Sequence, residues 1–275
     1  MSRTRSLALL AAVLAGLVLT AAARAEEPDG WFTLGYSVQN RPIDGIRLGT
    51  GPRHVALMGS IHGGWERNTE QLVREAYMYF AAHTDEIPQN VSMYFVPTTN
   101  PDGLAGGDDR DSAWNANGVD LNRNFDTPNW SPDSAGRVGG RYGPSGRRVG
   151  AGGSAPFSEP ETRVIRDFVL SERIAAVLSY HSGIMSVTTR DGGGDPAEPI
   201  AREVAVATGY PYIQTWTEYS LTGQFMDWLP SVGVMGIEVD LPNQRDIDWD
   251  GNQAGIHSVI AALSATEATP TADAQ

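Results

Sequence analysis

The chain has 275 residues, 41% hydrophobic and 19% charged, with a formal net charge of −13 and no cysteine. That composition is globular and the length is enough for one substantial core. The acidity argues against nucleic-acid binding, which rewards basic surface, and the missing thiols exclude disulfides and cysteine metal ligands.

Arg3 and Arg5 precede an apolar run, Leu7–Leu19, and then Ala23-Arg24-Ala25. A basic start, a short apolar stretch and a small-x-small end form the secretory signal pattern. The run is shorter than the roughly 20 apolar residues needed to span a bilayer. The expectation is a signal peptide over residues 1–25, a catalytic domain over 26–275 with its core at about 31–264, and a secreted or periplasmic location. No later stretch is apolar enough to span, so no membrane association is expected after cleavage. A monomer is expected.

Val55–Ile61 reads as a buried strand, followed by a helix capped by Asn68 or Thr69 and running to about His83. Val91–Val96 is the next strand. Ser158 and Glu161 have capping-box spacing at the head of a helix reaching about Leu170. Ile174–Ser179 and Val234–Leu241 read as strands. Pro196–Thr208, Thr222–Leu229 and Asn252–Ser264 read as helices. This alternation predicts a single α/β domain: a mixed, mostly parallel twisted sheet flanked by helices. Gly103–Pro156 is a long polar stretch of the kind that is usually functional or disordered. His62, Asn100 and His181 all follow or end strands, where open α/β sheets bind ligands.

His62, Glu66 and His181 offer two imidazoles and a carboxylate, three ligands for Zn²⁺ with a fourth position left open. Such a metal activates water and polarises a carbonyl. A lone strand-end histidine is more often structural. His54, His83 and His257 are read that way.

Five segments in one order sharpen this: Ile61-His-Gly-Gly-Trp-Glu-Arg-Asn-Thr69, Asn100-Pro-Asp-Gly103, Gly118-Val-Asp-Leu-Asn-Arg-Asn-Phe125, Phe157-Ser-Glu-Pro-Glu-Thr162 and Leu178-Ser-Tyr-His-Ser182. Together with Gly35-Tyr-Ser-Val-Gln-Asn-Arg-Pro42 they resemble the zinc carboxypeptidases of the carboxypeptidase A type. The family's usual His-x-x-Glu here carries one extra residue, giving His62 and Glu66. The resemblance implies one zinc held by His62, Glu66 and His181. It also implies a peptide or peptide-like substrate whose free carboxylate is held by Asn122 and Arg123, and a guanidinium fork with a neighbouring amide suits that task.

Three positions depart from the family's pattern. The carbonyl-polarising Arg falls on Ala113, with Arg110 a substitute three residues back. The seat counted after Asp227-Trp228 for a closing Tyr holds Pro230, and Tyr219 is a looser counterpart. The general base falls at Asp240 by register, while Glu238 supplies the usual residue type on the same strand face. The reading is a zinc metallocarboxypeptidase. The alternatives are a peptidoglycan stem-peptide amidase or deacylase on the same scaffold, and a non-catalytic zinc and carboxylate-terminus binding protein.

Overall fold

The computed structural model describes residues 30–135, 147–148, 150–218 and 220–265. The leader with its cleavage site, the tail beyond residue 265 and Tyr219 lie outside the described residues. In chain order the elements are β1 (Trp31–Tyr36), β2 (Pro42–Leu48), β3 (Arg53–Met58), α1 (Arg67–Ala82), β4 (Val91–Val96), α2 (Pro101–Ala105), β5 (Ser134–Ala135) and β6 (Arg147–Arg148). They continue with α3 (Pro160–Ser171), β7 (Ile174–Ser182), β8 (Ser186–Thr188), α4 (Glu198–Thr208), α5 (Phe225–Trp228), β9 (Met235–Leu241) and α6 (Trp249–Ala265).

The main sheet has seven strands in the order β1-β2-β4-β3-β7-β9-β8, and β5 and β6 form a separate two-stranded ribbon. The four central strands, β4-β3-β7-β9, run parallel. The outer pairings are antiparallel. The mixed sheet expected from the sequence therefore forms, with its parallel part at the centre. The central strands are apolar on both faces because helices cover both. Val55, Leu57, Met93, Phe95, Leu178, Tyr180, Ile237 and Val239 pack on the side of α1, α4 and α6. Ala56, Met58, Tyr94, Val96 and Val177 face the other side, with Ile165 and Phe168 of α3 and Phe225 and Trp228 of α5. Side chains alternate along a strand, so Ser179, His181, Glu238 and Asp240 all belong to this second face.

Two expected helix starts do not form as read. Asn68 does not cap α1. Its amide donates to the carbonyls of Asn243 (2.7 Å) and Asp246 (2.9 Å). Thr69 Oγ1 instead donates to Glu66 O. Ser158 Oγ donates to Glu159 Oε1, and α3 has no side-chain cap. Glu161 is fully buried, accepting from Val38 N–H at 3.0 Å and from Asn115 Nδ2 at 3.1 Å. For Asn68 and Glu161 a tertiary partner has claimed the side chain that the local pattern assigned to its own helix.

Candidate metal centre

Beyond Met58 the chain leaves β3 through Ser60, whose φ of 54° is uncommon for a residue with a side chain. Two hydrogen bonds hold it there: its N–H donates to Thr69 Oγ1 and its Oγ donates to Gly63 O, both at 2.8 Å. Gly63–Glu66 then forms one 3₁₀ turn leading into α1. The two glycines let this turn press against the following loop. A Cβ on Gly63 would lie 2.2 Å from Ser112 O, and one on Gly64 1.6 Å from Gly107 O. The tight turn accommodates the extra residue between His62 and Glu66, leaving His62 Nδ1 2.9 Å from Glu66 Oε1.

His181, near the carboxyl end of β7, completes the group. Its Nδ1 lies 3.1 Å from Glu66 Oε2 and 3.2 Å from His62 Nδ1. The ligand atoms of the three residues fall within 4.8 Å of one another, and all three residues are buried. Burial, which alone would lower the His62 pKa, is outweighed by Glu66 and Asp120, so the imidazole is held well above its usual value. For His181 burial is likewise outweighed, here by Glu238 and then Glu66, and its pKa is raised. Burial would raise Glu66, but His62 and His181 bring it down to about 2.

These residues fit zinc. Two Nδ1 atoms and a carboxylate converge, and Glu66 Oε2 is buried without an aligned hydrogen bond. Two nitrogens and an oxygen are a donor set zinc accepts in catalytic sites. His62, Glu66 and His181 would hold it.

The polar stretch after α2 supplies the rest. Asp120 is buried, and its Oδ1 accepts from Asn122 N–H at 3.0 Å and lies 3.2 Å from His62 Nε2. Burial would raise Asp120, yet His62 and Arg123 bring it to about 2. A carboxylate on the far nitrogen fixes the tautomer and orientation of a ligating histidine. Sequence reading missed this role, although Asp120 stands inside the quoted Val-Asp-Leu-Asn-Arg string. Asn122 is fixed by Phe225 N–H, which donates to its Oδ1 at 2.9 Å. Arg123 is only 4% exposed, and its Nη1 donates to Asn122 O at 2.6 Å.

His62, Glu66, His181, Asn122, Arg123, Arg110, Glu238 and Asp240 all line one cavity of about 550 Å³. These eight residues thus meet in one place. Trp65, inside the first quoted string, also lines it, as do Ile184, Asp191 and Trp216, which the sequence reading did not single out. Arg110 stands at the exposed rim with its guanidinium 5.3 Å from the centre of the Trp65 ring. Ala113 is buried against Trp114, Ala151 and Trp65, so the usual Arg seat is apolar packing. Pro230 is absent from the cavity lining and sits in a 3₁₀ turn after α5, so the count from Asp227-Trp228 does not reach the site. Asp240 Oδ1 accepts from Ile184 N–H at 2.9 Å. Burial, then Glu66 and Glu238, push its carboxyl up to about 7.

Behind the cavity the remaining sequence segments form one buried polar network. Asp102 accepts from Ser37 Oγ (2.7 Å), Gln39 N–H (2.9 Å) and Arg41 Nη1 (2.7 Å). Asn115 bridges Glu159 and Glu161 with its amide nitrogen. This ties the β1–β2 hairpin and the start of α3 to the stretch that carries Asp120, Asn122 and Arg123.

A buried two-histidine, one-carboxylate group at the carboxyl ends of parallel strands, beside a cavity holding a buried arginine, defines a metallohydrolase-type site. The chain belongs to the zinc carboxypeptidase family, whose model matches residues 21–190. It is 30% identical over 153 residues to murein peptide amidase A of Escherichia coli K12, covering 54% of this chain and 57% of that one. It is 29% identical over 167 residues to carboxypeptidase B of Astacus astacus, covering 54% and 52%. The chain thus spans about half the length of these curated relatives. Among solved structures, murein-tripeptide amidase from Escherichia coli O157 superposes with a TM-score of 0.61 at 22% identity, covering 89% of this chain and 95% of that one. Thrombin activatable fibrinolysis inhibitor gives a TM-score of 0.68 at 18% identity, covering 85% and 69%. At these identities the structures speak for the fold alone.

Proposed function

We propose that the protein is a zinc-dependent carboxypeptidase that hydrolyses an amide bond next to a free C-terminal carboxylate. The observation that carries this reading is the near-complete burial of Arg123 in the wall of the same cavity as His62, Glu66 and His181. A guanidinium fork lining that cavity can hold a substrate carboxylate through two parallel hydrogen bonds. Asn122 Nδ2 is a second donor beside it.

Bound by the three residues, one zinc ion would supply a Lewis acid and a water of lowered pKa. The protein's own groups do the rest. Arg123 and Asn122 orient the substrate through its carboxylate. Asp240, whose carboxyl burial pushes up to about 7, takes up and returns a proton at the reaction centre, where a group of matched pKa is most effective. Arg110 stands at the rim in place of the family's carbonyl-polarising arginine. Glu238 is the other carboxylate of the cavity.

A second reading, amide hydrolysis in peptidoglycan stem peptides, draws support from the likeness to murein peptide amidase A. Export of the chain through the leader at residues 1–25 belongs to the same proposal and would bring it to such peptides. N-terminal sequencing of secreted protein should begin at Glu26. The substrate test is turnover by metal-stripped and zinc-restored protein on free-acid peptides, amidated peptides and a murein tripeptide. Zinc-dependent cleavage confined to the free-acid peptides supports the carboxypeptidase, and cleavage confined to the murein peptide supports the amidase. Zinc binding without turnover on any of them points to a binding protein.

A further inference from the structure

Glu238 and Asp240 share a strand face and a cavity, yet their surroundings differ. Across the β7–β9 pair, Glu238 stands opposite Ser179 and Asp240 opposite His181. Asp240 accepts a backbone N–H from Ile184. Glu238 has no such bond: its Oε2 is buried without an aligned hydrogen bond, and lies 3.3 Å from His181 Nε2.

That nitrogen needs an acceptor. With Nδ1 facing Glu66 and His62, a neutral His181 that ligates through Nδ1 carries its proton on Nε2. Among the described residues, two side chains reach Nε2. Asn122 Nδ2 is 3.5 Å away. The Asn122 amide is oriented by Phe225 N–H on its Oδ1, so it presents a donor to Nε2 and accepts nothing. Glu238 is the neighbour with an acceptor oxygen to offer, 3.3 Å away. Asp120 Oδ1 occupies the corresponding place on His62, hydrogen-bonded to its Nε2 at 3.2 Å.

We infer that Glu238 is a positioning residue: its carboxylate receives the Nε2 proton of His181 and holds that imidazole with Nδ1 toward the metal, leaving proton transfer to Asp240. The inference rests on the zinc reading of His62, Glu66 and His181. It goes beyond that reading in dividing two carboxylates two residues apart between two tasks. Partners of this kind usually contribute about 10- to 100-fold to metal affinity.

The test is zinc affinity by chelator competition, on folded wild type, Glu238→Ala and Glu238→Gln, together with the visible spectrum of the cobalt-substituted proteins. The expected result is a zinc affinity about 10- to 100-fold weaker in Glu238→Ala, with an altered cobalt spectrum. Glu238→Gln keeps an acceptor oxygen and should recover much of both. Unchanged affinity and spectrum in Glu238→Ala would overturn the inference. In that case a fall in kcat alone would make Glu238 the proton-transfer group, and a loss confined to substrates with cationic side chains would make it a specificity residue. Failure of the zinc reading looks different: wild type itself would bind no zinc, and His181→Ala would match it.

Discussion

Each imidazole of the centre has a carboxylate near both ring nitrogens. His62 has Glu66 on Nδ1 and Asp120 on Nε2; His181 has Glu66 on Nδ1 and Glu238 on Nε2. His62→Ala and His181→Ala should therefore each abolish the binding of about one zinc per chain. Metal analysis after dialysis checks this, and stoichiometric zinc in the double variant would remove the assignment. The raised pKa values of both histidines give a pH dependence. Ligation needs neutral imidazoles, and in the metal-free protein the neighbouring carboxylates keep them protonated to higher pH. Zinc affinity should thus fall as pH is lowered, and binding near neutrality should release up to about two protons. Calorimetry in buffers of different ionisation enthalpy measures that release, and its absence would contradict the charge state described here. The ligands were legible in the sequence because His62 and His181 stand at strand ends inside recognisable strings. Asp120 was not, since its role depends on a fold that brings it across 58 residues to His62.

The turn from β3 into α1 sets the geometry of the site. Gly64 lets the 3₁₀ turn touch the backbone of Gly107, and any side chain there meets that carbonyl head-on. Gly64→Ala should push the loop from Gly107 to Ser112 away, costing about 1–3 kcal/mol as overpacking does. Because Glu66 ends the same turn, zinc affinity should fall as well. Denaturant unfolding and chelator competition measure the two effects, and a variant unchanged in both would show that the turn tolerates a wider approach. The central strands were readable as continuous apolar runs. The β1–β2 hairpin was not read as strands, because its burial is partial and a bulge between Thr33 and Gly35 breaks its alternation. The capping residues misled for a different reason. Asn68 and Glu161 have local cap patterns, but long-range partners across the fold satisfy them instead.

At the largest scale the described residues form a two-sided sheet with four parallel central strands, of which β3, β7 and β9 lead to or carry the site residues. Phe95 of β4 is fully buried and packs on Tyr77 and Phe80 of α1, with ring centres 5.8 and 6.5 Å away. Phe95→Ala should cost about 3–5 kcal/mol of stability, the usual range for a large core deletion. Denaturant midpoints measure it, and a loss under 1 kcal/mol would mean the core refills. The long polar stretch after α2 was legible as functional but not as structure: its short turns are anchored by Asp109, Asp120 and Asn124, which only the assembled fold places. That stretch carries Arg123, on which the functional account turns. Removing a buried charge-assisted contact typically costs about 2–5 kcal/mol, on the order of 30- to several-thousand-fold in kcat/KM. The most direct test is kcat/KM of wild type and Arg123→Ala on the free-acid and C-terminally amidated forms of one peptide, at equal zinc content. The account predicts a loss in that range on the free acid and little change on the already poor amide. Equal losses on both, or full activity on the free acid, would contradict it.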